Sequence, residues 1–552
     1  VKDNPGEFVL SKWDELYYKA RSVTNMTSKA IRNKSSIPYE YTVPREFAER
    51  DFDYFYNKDF CFTAFVSQPG CGKSILLTHL IDKSFFSEHA LYKNDMVWFI
   101  DANTLYHSEY SDFDLENWLN EQLGGGKNFI NYFNDDPLRR KGKVILVLDG
   151  FDEVSIKKAQ LKSLLNRIAN FICASEGCDW IKVVLSMRST TWIDFYEQIR
   201  HSAYLKSKLF IGNQVMMDYF ANVPPLSDKE INQVLSKFSD IDVTQVNQKL
   251  KSQFKYPFYL QVYYQLKEDG KTFDYRTDLP FYELISGFVS EKINLSQHYT
   301  EKILLLKKII VLSKQIKKGN LVYKENLLND ITVFREAYEQ LLIDGILIEE
   351  KLADHIMPKE VVRFIHSDIY EYFLFIQIID NNQRNINNDL FEYLRIEYSR
   401  NPLRLQLLQW AVRHAVINNN ITPVIEALKL KLPSKEKNKL MLFILQLLEF
   451  KSLNKNKGFN RIIDEHLHDA FLKEIMQLDL LGPCYKEILK TLKRLTTQPN
   501  ELMIYSSLLA YIAVLELDTQ QLRLEIADLK NIGGGLQKWL VKPADAFSII
   551  YN

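Results

Sequence analysis

The spacing of hydrophobic positions changes character along this chain, and each change predicts a different kind of structure. Apolar runs of strand length lie at Phe60 to Val66, Met96 to Ile100, Val144 to Leu148, Val183 to Ser186 and Leu209 to Gly212. Helical spacing appears between them, as in Ser74 to Ile81. Such alternation predicts an α/β domain with a parallel sheet and helices on both faces. Ahead of it, Trp13, Leu16 and Tyr17 share one face of a helix around Ser11 to Ser22, and Pro38 and Pro44 bracket an extended lead-in. After Pro224 and Pro225 the strand pattern stops, and Ser227-Asp228-Lys229-Glu230 forms a capping box that opens helices running to Leu266. Helical stretches at Phe281 to Lys292, Thr300 to Lys314 and Ile331 to Leu342, followed by short strands at Ile346 to Ile348 and Val361 to Phe364, predict a winged helix. Apolar stripes at Leu403 to Val416, Leu440 to Phe450, Phe471 to Leu481, Tyr485 to Leu495 and Met503 to Leu517 then predict helical hairpins, stacked as an array or gathered in a bundle. The expected division is an N-terminal helical linker (1–48), the α/β domain (49–212), a small helical domain (213–277), a winged helix (278–380) and a C-terminal helical array (381–552).

Two segments of the α/β domain carry chemistry. Ser67-Gln68-Pro69-Gly70-Cys71-Gly72-Lys73-Ser74 follows a strand and opens a helix, the context of a P-loop. Glycines at 70 and 72 let main-chain N–H groups close around phosphate, and the helix N-terminus adds positive potential. Lys73 is placed for the outer phosphates, the Ser74 hydroxyl for magnesium, and Pro69, Gly70, Cys71, Gly72 and Ile75 complete the expected nucleotide contacts. The motif has Gly at its first position where this chain has Ser67. Val144 to Leu148 is a buried strand ending on Asp149, a carboxylate at the edge where open α/β sheets bind ligands, suited to the magnesium shell. Asp152 and Glu153 follow and could orient or deprotonate an attacking water, or cap a helix starting near Ser155. The pair of segments predicts a site for ATP or GTP with Mg2+.

Composition narrows the alternatives. Lys plus Arg equals Asp plus Glu, leaving zero formal charge, which argues against a protein that mainly coats nucleic acid. Five cysteines without ligand spacing suggest neither a disulfide framework nor a zinc site, and fit a reducing cytoplasm. The apolar stretch Ile504 to Leu515 is too short to span a bilayer, so no membrane partner is expected. The helix at Thr332 to Gln340, with one Arg and two Glu, is a poor match to a phosphate-seeking recognition helix.

Asp149-Gly150-Phe151-Asp152-Glu153 resembles the extended acidic motif of NACHT domains, a branch of the STAND signalling P-loop NTPases that includes animal inflammasome sensors and bacterial antiviral relatives. Lys182 to Ser189 is similar to the family's sensor-one segment, which implies that Arg188 reaches the terminal phosphate. Pro257 resembles the proline that packs on adenine, although Lys255 replaces the usual Gly two residues earlier. His366, in Phe364-Ile365-His366-Ser367, looks like the winged-helix histidine that contacts the β-phosphate of ADP. The resemblance implies a slow ATPase used as a switch. The winged helix would hold the chain closed over the bound nucleotide, and a ligand on the C-terminal array, such as a foreign or viral protein, would open it, let ATP replace ADP and release the chain to self-assemble. No effector domain is recognisable. Two other classes stay open: a remodelling or nucleic-acid-linked ATPase, and a nucleotide-gated DNA-binding regulator.

Overall fold

A computed structural model describes residues 11–35, 37–67, 70–101, 115–150, 158–213, 221–238, 241–270, 275–277, 279–315, 320–352, 359–453, 465–476, 483–533 and 543–551. They fall into two compact units. The first takes its residues from 1–244, 251–265 and 323–365, the second from 245–250, 266–322 and 366–552.

The first unit is built on strands β1 (Phe62–Ser67), β2 (Met96–Asp101), β3 (Val144–Asp149), β4 (Ile181–Arg188) and β5 (Leu209–Phe210), all parallel, in the order β2-β3-β4-β1-β5. Their residues alternate between two cores, as the pleat requires. Phe62, Ala64, Trp98, Leu146 and Leu185 face one, whereas Phe65, Phe99, Ile145, Val147 and Val184 face the other. Helices cover both faces, which is the α/β arrangement the alternating pattern predicts.

The N-terminal helix runs over Lys12–Lys34, well past Ser22, and is part of this unit rather than a separate linker. Trp13, Leu16 and Ala20 pack into the first core. Farther along, Thr24 Oγ1 donates to Val97 O (2.7 Å) and accepts from Phe99 N (3.0 Å). A hydroxyl thus closes the outer edge of β2, so the contact face of the helix carries a polar residue where an apolar stripe would be sought.

The lead-in over residues 37–45 is fastened at both ends of its run. Tyr41 stacks on Phe238 at 5.0 Å, and Arg45 donates to Glu230 Oε1 (2.7 Å) and to Pro224 O (2.9 Å). The predicted capping box forms, with Ser227 and Glu230 bonding reciprocally at the start of helix Asp228–Leu235. Against the helix Lys73–Ile81, Tyr39 stacks on the His79 ring. Thr42 Oγ1 lies 2.7 Å from His79 Nε2, Tyr39 Oη lies 2.9 Å from Nδ1, and Tyr39 donates to Asp82 (2.8 Å), which Arg32 also pairs. Tyr39 Oη gives its proton to Asp82 and so can only accept at Nδ1, whereas the single proton of Thr42 Oγ1 is shared between Tyr39 O (2.7 Å) and Nε2.

Burial, with Lys237 and Arg32 nearby, lowers the His79 pKa from 6.5 to about 4. The folded state therefore binds its proton later than the unfolded chain as pH falls. The resulting stabilisation is full above pH 6.5 and disappears as pH drops toward 4, at most roughly 3 kcal/mol. Chemical unfolding of wild type and His79→Gln at pH 7 and pH 5 checks this, with the stability gap expected to shrink at the lower pH. A gap independent of pH would contradict the assignment.

The first unit also contains the antiparallel hairpin of β6 (Leu347–Leu352) and β7 (Lys359–Phe364), with Leu347 opposite Phe364. The helix predicted over Ile331 to Leu342 is instead two, Leu328–Val333 and Arg335–Ile343, broken at Phe334. The winged-helix segment is thereby divided, because its helices Leu279–Val289, Tyr299–Gln315 and Ser367–Asn381 lie wholly or mainly among the residues of the second unit.

The second unit is helical among its described residues apart from its short share of a strand at Leu321–Tyr323. Its core gathers Trp410 with Tyr282, Tyr372 and Phe375, and Arg413 pairs with the buried Glu283 at 2.7 Å. Toward the C-terminus, helices Pro483–Leu495, Pro499–Leu515, Thr519–Gly533 and Pro543–Tyr551 each pack on the next, an array of stacked helices. Among the described residues, no helix is long and apolar enough to cross a membrane.

Candidate nucleotide site

The C-terminal edge of the sheet places the motif residues together. β1 delivers the chain at Ser67, and the helix opens at Lys73. Gln68 and Pro69 lie outside the described residues. Gly70 and Gly72 have φ of +77° and +75°, where a side chain is strained, and they turn the main chain back toward the helix N-terminus. Helix Pro257–Glu268 closes on this turn. Phe258 N donates to Gly70 O (3.2 Å), a Cβ at Gly70 would come within 3.0 Å of Phe258 Cβ, and one at Gly72 would lie 3.6 Å from Pro257. Pro257 therefore flanks this turn, to which the chain returns across a long stretch of sequence. Cys71 is partly exposed, Ile75 is half-buried, and Lys73 Nζ reaches back to Ser67 O at 3.5 Å.

Asp149 ends β3 and is only 5% exposed. Burial raises the pKa of its carboxyl, opposed by the Ser186 and Ser74 hydroxyls and the Lys73 ammonium, and reinforced by Asp101. The carboxyl therefore shares its surroundings with the side chains of both P-loop residues chosen from the sequence. β4 lies between β1 and β3, and it supplies Ser186 and Arg188 to the same edge. Arg188 pairs in register with Ser67 and donates to Leu342 O at 3.3 Å, near the end of helix Arg335–Ile343.

Two residues at this edge are absent from the sequence-derived set. Asp101 ends β2 directly opposite Asp149. Ser186 is 1% exposed, and although its hydroxyl acts on the Asp149 carboxyl, its Oγ closes no hydrogen bond of good geometry. Asp101 stands at the end of a strand, the same signal that marked Asp149, whereas Ser186 is recognisable only from the register of β4.

The donor set fits magnesium. Asp149 and Ser74 offer hard oxygen ligands, and a buried carboxyl beside the Ser186 hydroxyl, which closes no hydrogen bond of good geometry, is suited to a hydrated cation. Among the described residues no group of three or more His, Cys, Asp or Glu could hold a metal by itself. A nucleotide-bound magnesium takes most of its ligands from phosphate and water, so one or two protein oxygens suffice. Asp152 and Glu153 lie outside the described residues. His366 opens the second unit as the residue before helix Ser367–Asn381, where its carbonyl accepts from Tyr370 N at 3.3 Å.

No family model and no curated protein matches the chain. Solved structures similar to it include the Aeropyrum pernix ORC2 protein in ADPNP–ADP complexes, at 10% identity and a TM-score of 0.33, covering 61% of this chain and 92% of that one. The Aeropyrum pernix ORC1 protein in complex with DNA has 13% identity and a TM-score of 0.30, with 62% and 95% covered. Drosophila ORC bound to DNA has 12% identity and a TM-score of 0.28, with 68% and 94% covered. Likeness this distant assigns no role to any residue. The functional reading rests on the site.

Proposed function

We propose that this chain is a nucleotide-switched P-loop ATPase that binds ADP or ATP with Mg2+. The observation that carries the proposal is the buried Asp149 carboxyl acted on by both Ser74 and Lys73 at the sheet edge. In this reading Lys73 and the loop amides hold the outer phosphates, and Ser74 and Asp149 hold the cation, which would supply charge neutralisation at the phosphates. Arg188 answers the terminal phosphate, Pro257 flanks the base, and Asp152 or Glu153 acts on water. His366 takes the β-phosphate contact that the NACHT resemblance implies. That resemblance also supports the finer reading: slow turnover, cytoplasmic signalling in innate immunity or antiviral defence, and self-assembly when a ligand engages the helical array.

The test is mass spectrometry of the nucleotide carried by the purified protein, with steady-state turnover in ATP and Mg2+. ADP or ATP is expected at near-stoichiometric occupancy, with turnover well below the ordinary enzymatic range of about 1–1000 per second. Absence of nucleotide after purification and addition would overturn the proposal. Rapid turnover would move it to the remodelling class, and salt-sensitive duplex binding gated by ATP to the DNA-binding class.

A further inference from the structure

Strand β1 leads into the phosphate loop, yet its outer neighbour β5 accompanies it for only two residues, with Phe62 opposite Leu209 and Thr63 opposite Phe210. Every residue of β1 is buried, so main-chain groups left bare beyond that point would be costly. One side chain closes the gap. Asn222 Nδ2 donates to Ala64 O and to Ile211 O, each at 2.7 Å, and Val66 N donates to Asn222 Oδ1, also at 2.7 Å. The main-chain N–H groups of Asn222 and Val223 donate to Val66 O at 2.9 and 3.2 Å. Both main-chain groups of Val66, the residue before Ser67, are therefore held through Asn222.

At 6% exposure, Asn222 is beyond easy replacement by water, and both of its side-chain donors are used. The space around it is close, since a Cβ on Gly212 would lie 3.2 Å from its Nδ2. Asn222 also belongs to the connection into the small helical segment. Arg45 donates to Pro224 O at 2.9 Å, Leu226 N donates to Lys255 O at 2.8 Å, and the helix beginning at Pro257 returns to the loop through Phe258 N and Gly70 O. The loop is thus held at its strand side by Asn222 and at its far side by Phe258, and one short segment feeds both contacts.

We propose that Asn222 is a positioning residue for nucleotide binding: it sets the end of β1, and with it the start of the phosphate loop, and ties that start to the connection into the small helical segment. A shift of that connection would then move Val66, and phosphate engaged by the loop would hold the connection in place. The inference rests on the P-loop reading above.

Two measurements on Asn222→Ala decide it. In unliganded protein, hydrogen exchange is expected to quicken roughly tenfold over residues 64–75, with β2 and β3 unchanged. ATP affinity is expected to fall roughly tenfold while helical content stays that of wild type. Asn222→Asp keeps the acceptor for Val66 N and loses both donors. It is expected to show a smaller change at Val66 than at the rest of the loop, and it gives both readings should the alanine variant fail to fold. Asn213→Ala removes only a 2.7 Å bond to Asp51 and is expected to match wild type in both measurements. Unchanged exchange over 64–75 in a folded Asn222 variant, or affinity within twofold of wild type, overturns the proposal. Were wild type itself to bind no nucleotide, the P-loop reading would fail, and the exchange result would still decide whether Asn222 holds the loop.

Discussion

Lys73→Ala is expected to abolish retained nucleotide and to weaken ATP binding by at least about a hundredfold, near 3 kcal/mol, without unfolding the protein. The two halves of this expectation have separate physical grounds. In the structure the Lys73 ammonium makes a long 3.5 Å contact to Ser67 O and acts electrostatically on Asp149. Neither contact holds an element in place, and alanine is a good residue for the first turn of a helix. A phosphate group would meet the same ammonium as a charge-assisted partner, beside loop amides preset by two positive-φ glycines. Isothermal titration with ATP, paired with far-UV circular dichroism, separates binding from folding. Wild-type affinity in Lys73→Ala would remove the phosphate role from this loop.

The parts of the fold that announce themselves in sequence are those where burial and periodicity agree. β2 and β3 are found almost end to end, because each is an apolar run closed by an aspartate. β4 is shorter in sequence than in space because Lys182 interrupts its apolar run. That lysine is 3% exposed, its ammonium donates to the carbonyls of Lys58 and Phe60, and it lies 5.3 Å from the centre of the Phe55 ring. It closes the end of helix Glu46–Asn57, and burial pushes its pKa down to about 8. The N-terminal helix is underestimated for a related reason: its second half meets the sheet through Thr24, so a buried position reads as a surface one.

The site divides the same way. A P-loop pattern and an acid at a strand's end are local, and they single out Lys73, Ser74 and Asp149 as candidates. Asp101 carries the same strand-end signal as Asp149, whereas Ser186 is placed only by strand order and register, and Asn222 only by its hydrogen bonds to β1, neither of which a pattern of apolar residues specifies. Pro257 is intermediate. Its sequence context also suits a helix start, a role it fills at Pro257–Glu268, and its contact with Gly72 becomes apparent only when the chain returns to the loop.

Asp149→Asn is expected to separate stability from chemistry, and it tests the half of the site opposite Lys73. The carboxyl is 5% exposed and burial disfavours its charged form, so the ionised group is under strain in the unliganded protein. Asparagine has nearly the same shape and carries no charge. It can still accept from Ser74 or Ser186, and the repulsion from Asp101 is removed. The unliganded variant should therefore unfold at a denaturant concentration no lower than wild type. In ATP with Mg2+ the balance reverses, because the neutral amide cannot compensate the cation. Turnover is expected to fall by at least about a hundredfold, with a much smaller loss of nucleotide affinity measured in chelator. This combination distinguishes a metal-binding acid from a structural one, since removal of a structural acid would weaken the fold and leave the magnesium dependence unchanged. Lower stability with undiminished magnesium-dependent turnover would show that Asp149 only completes the sheet edge, and the cation would then have to be held elsewhere.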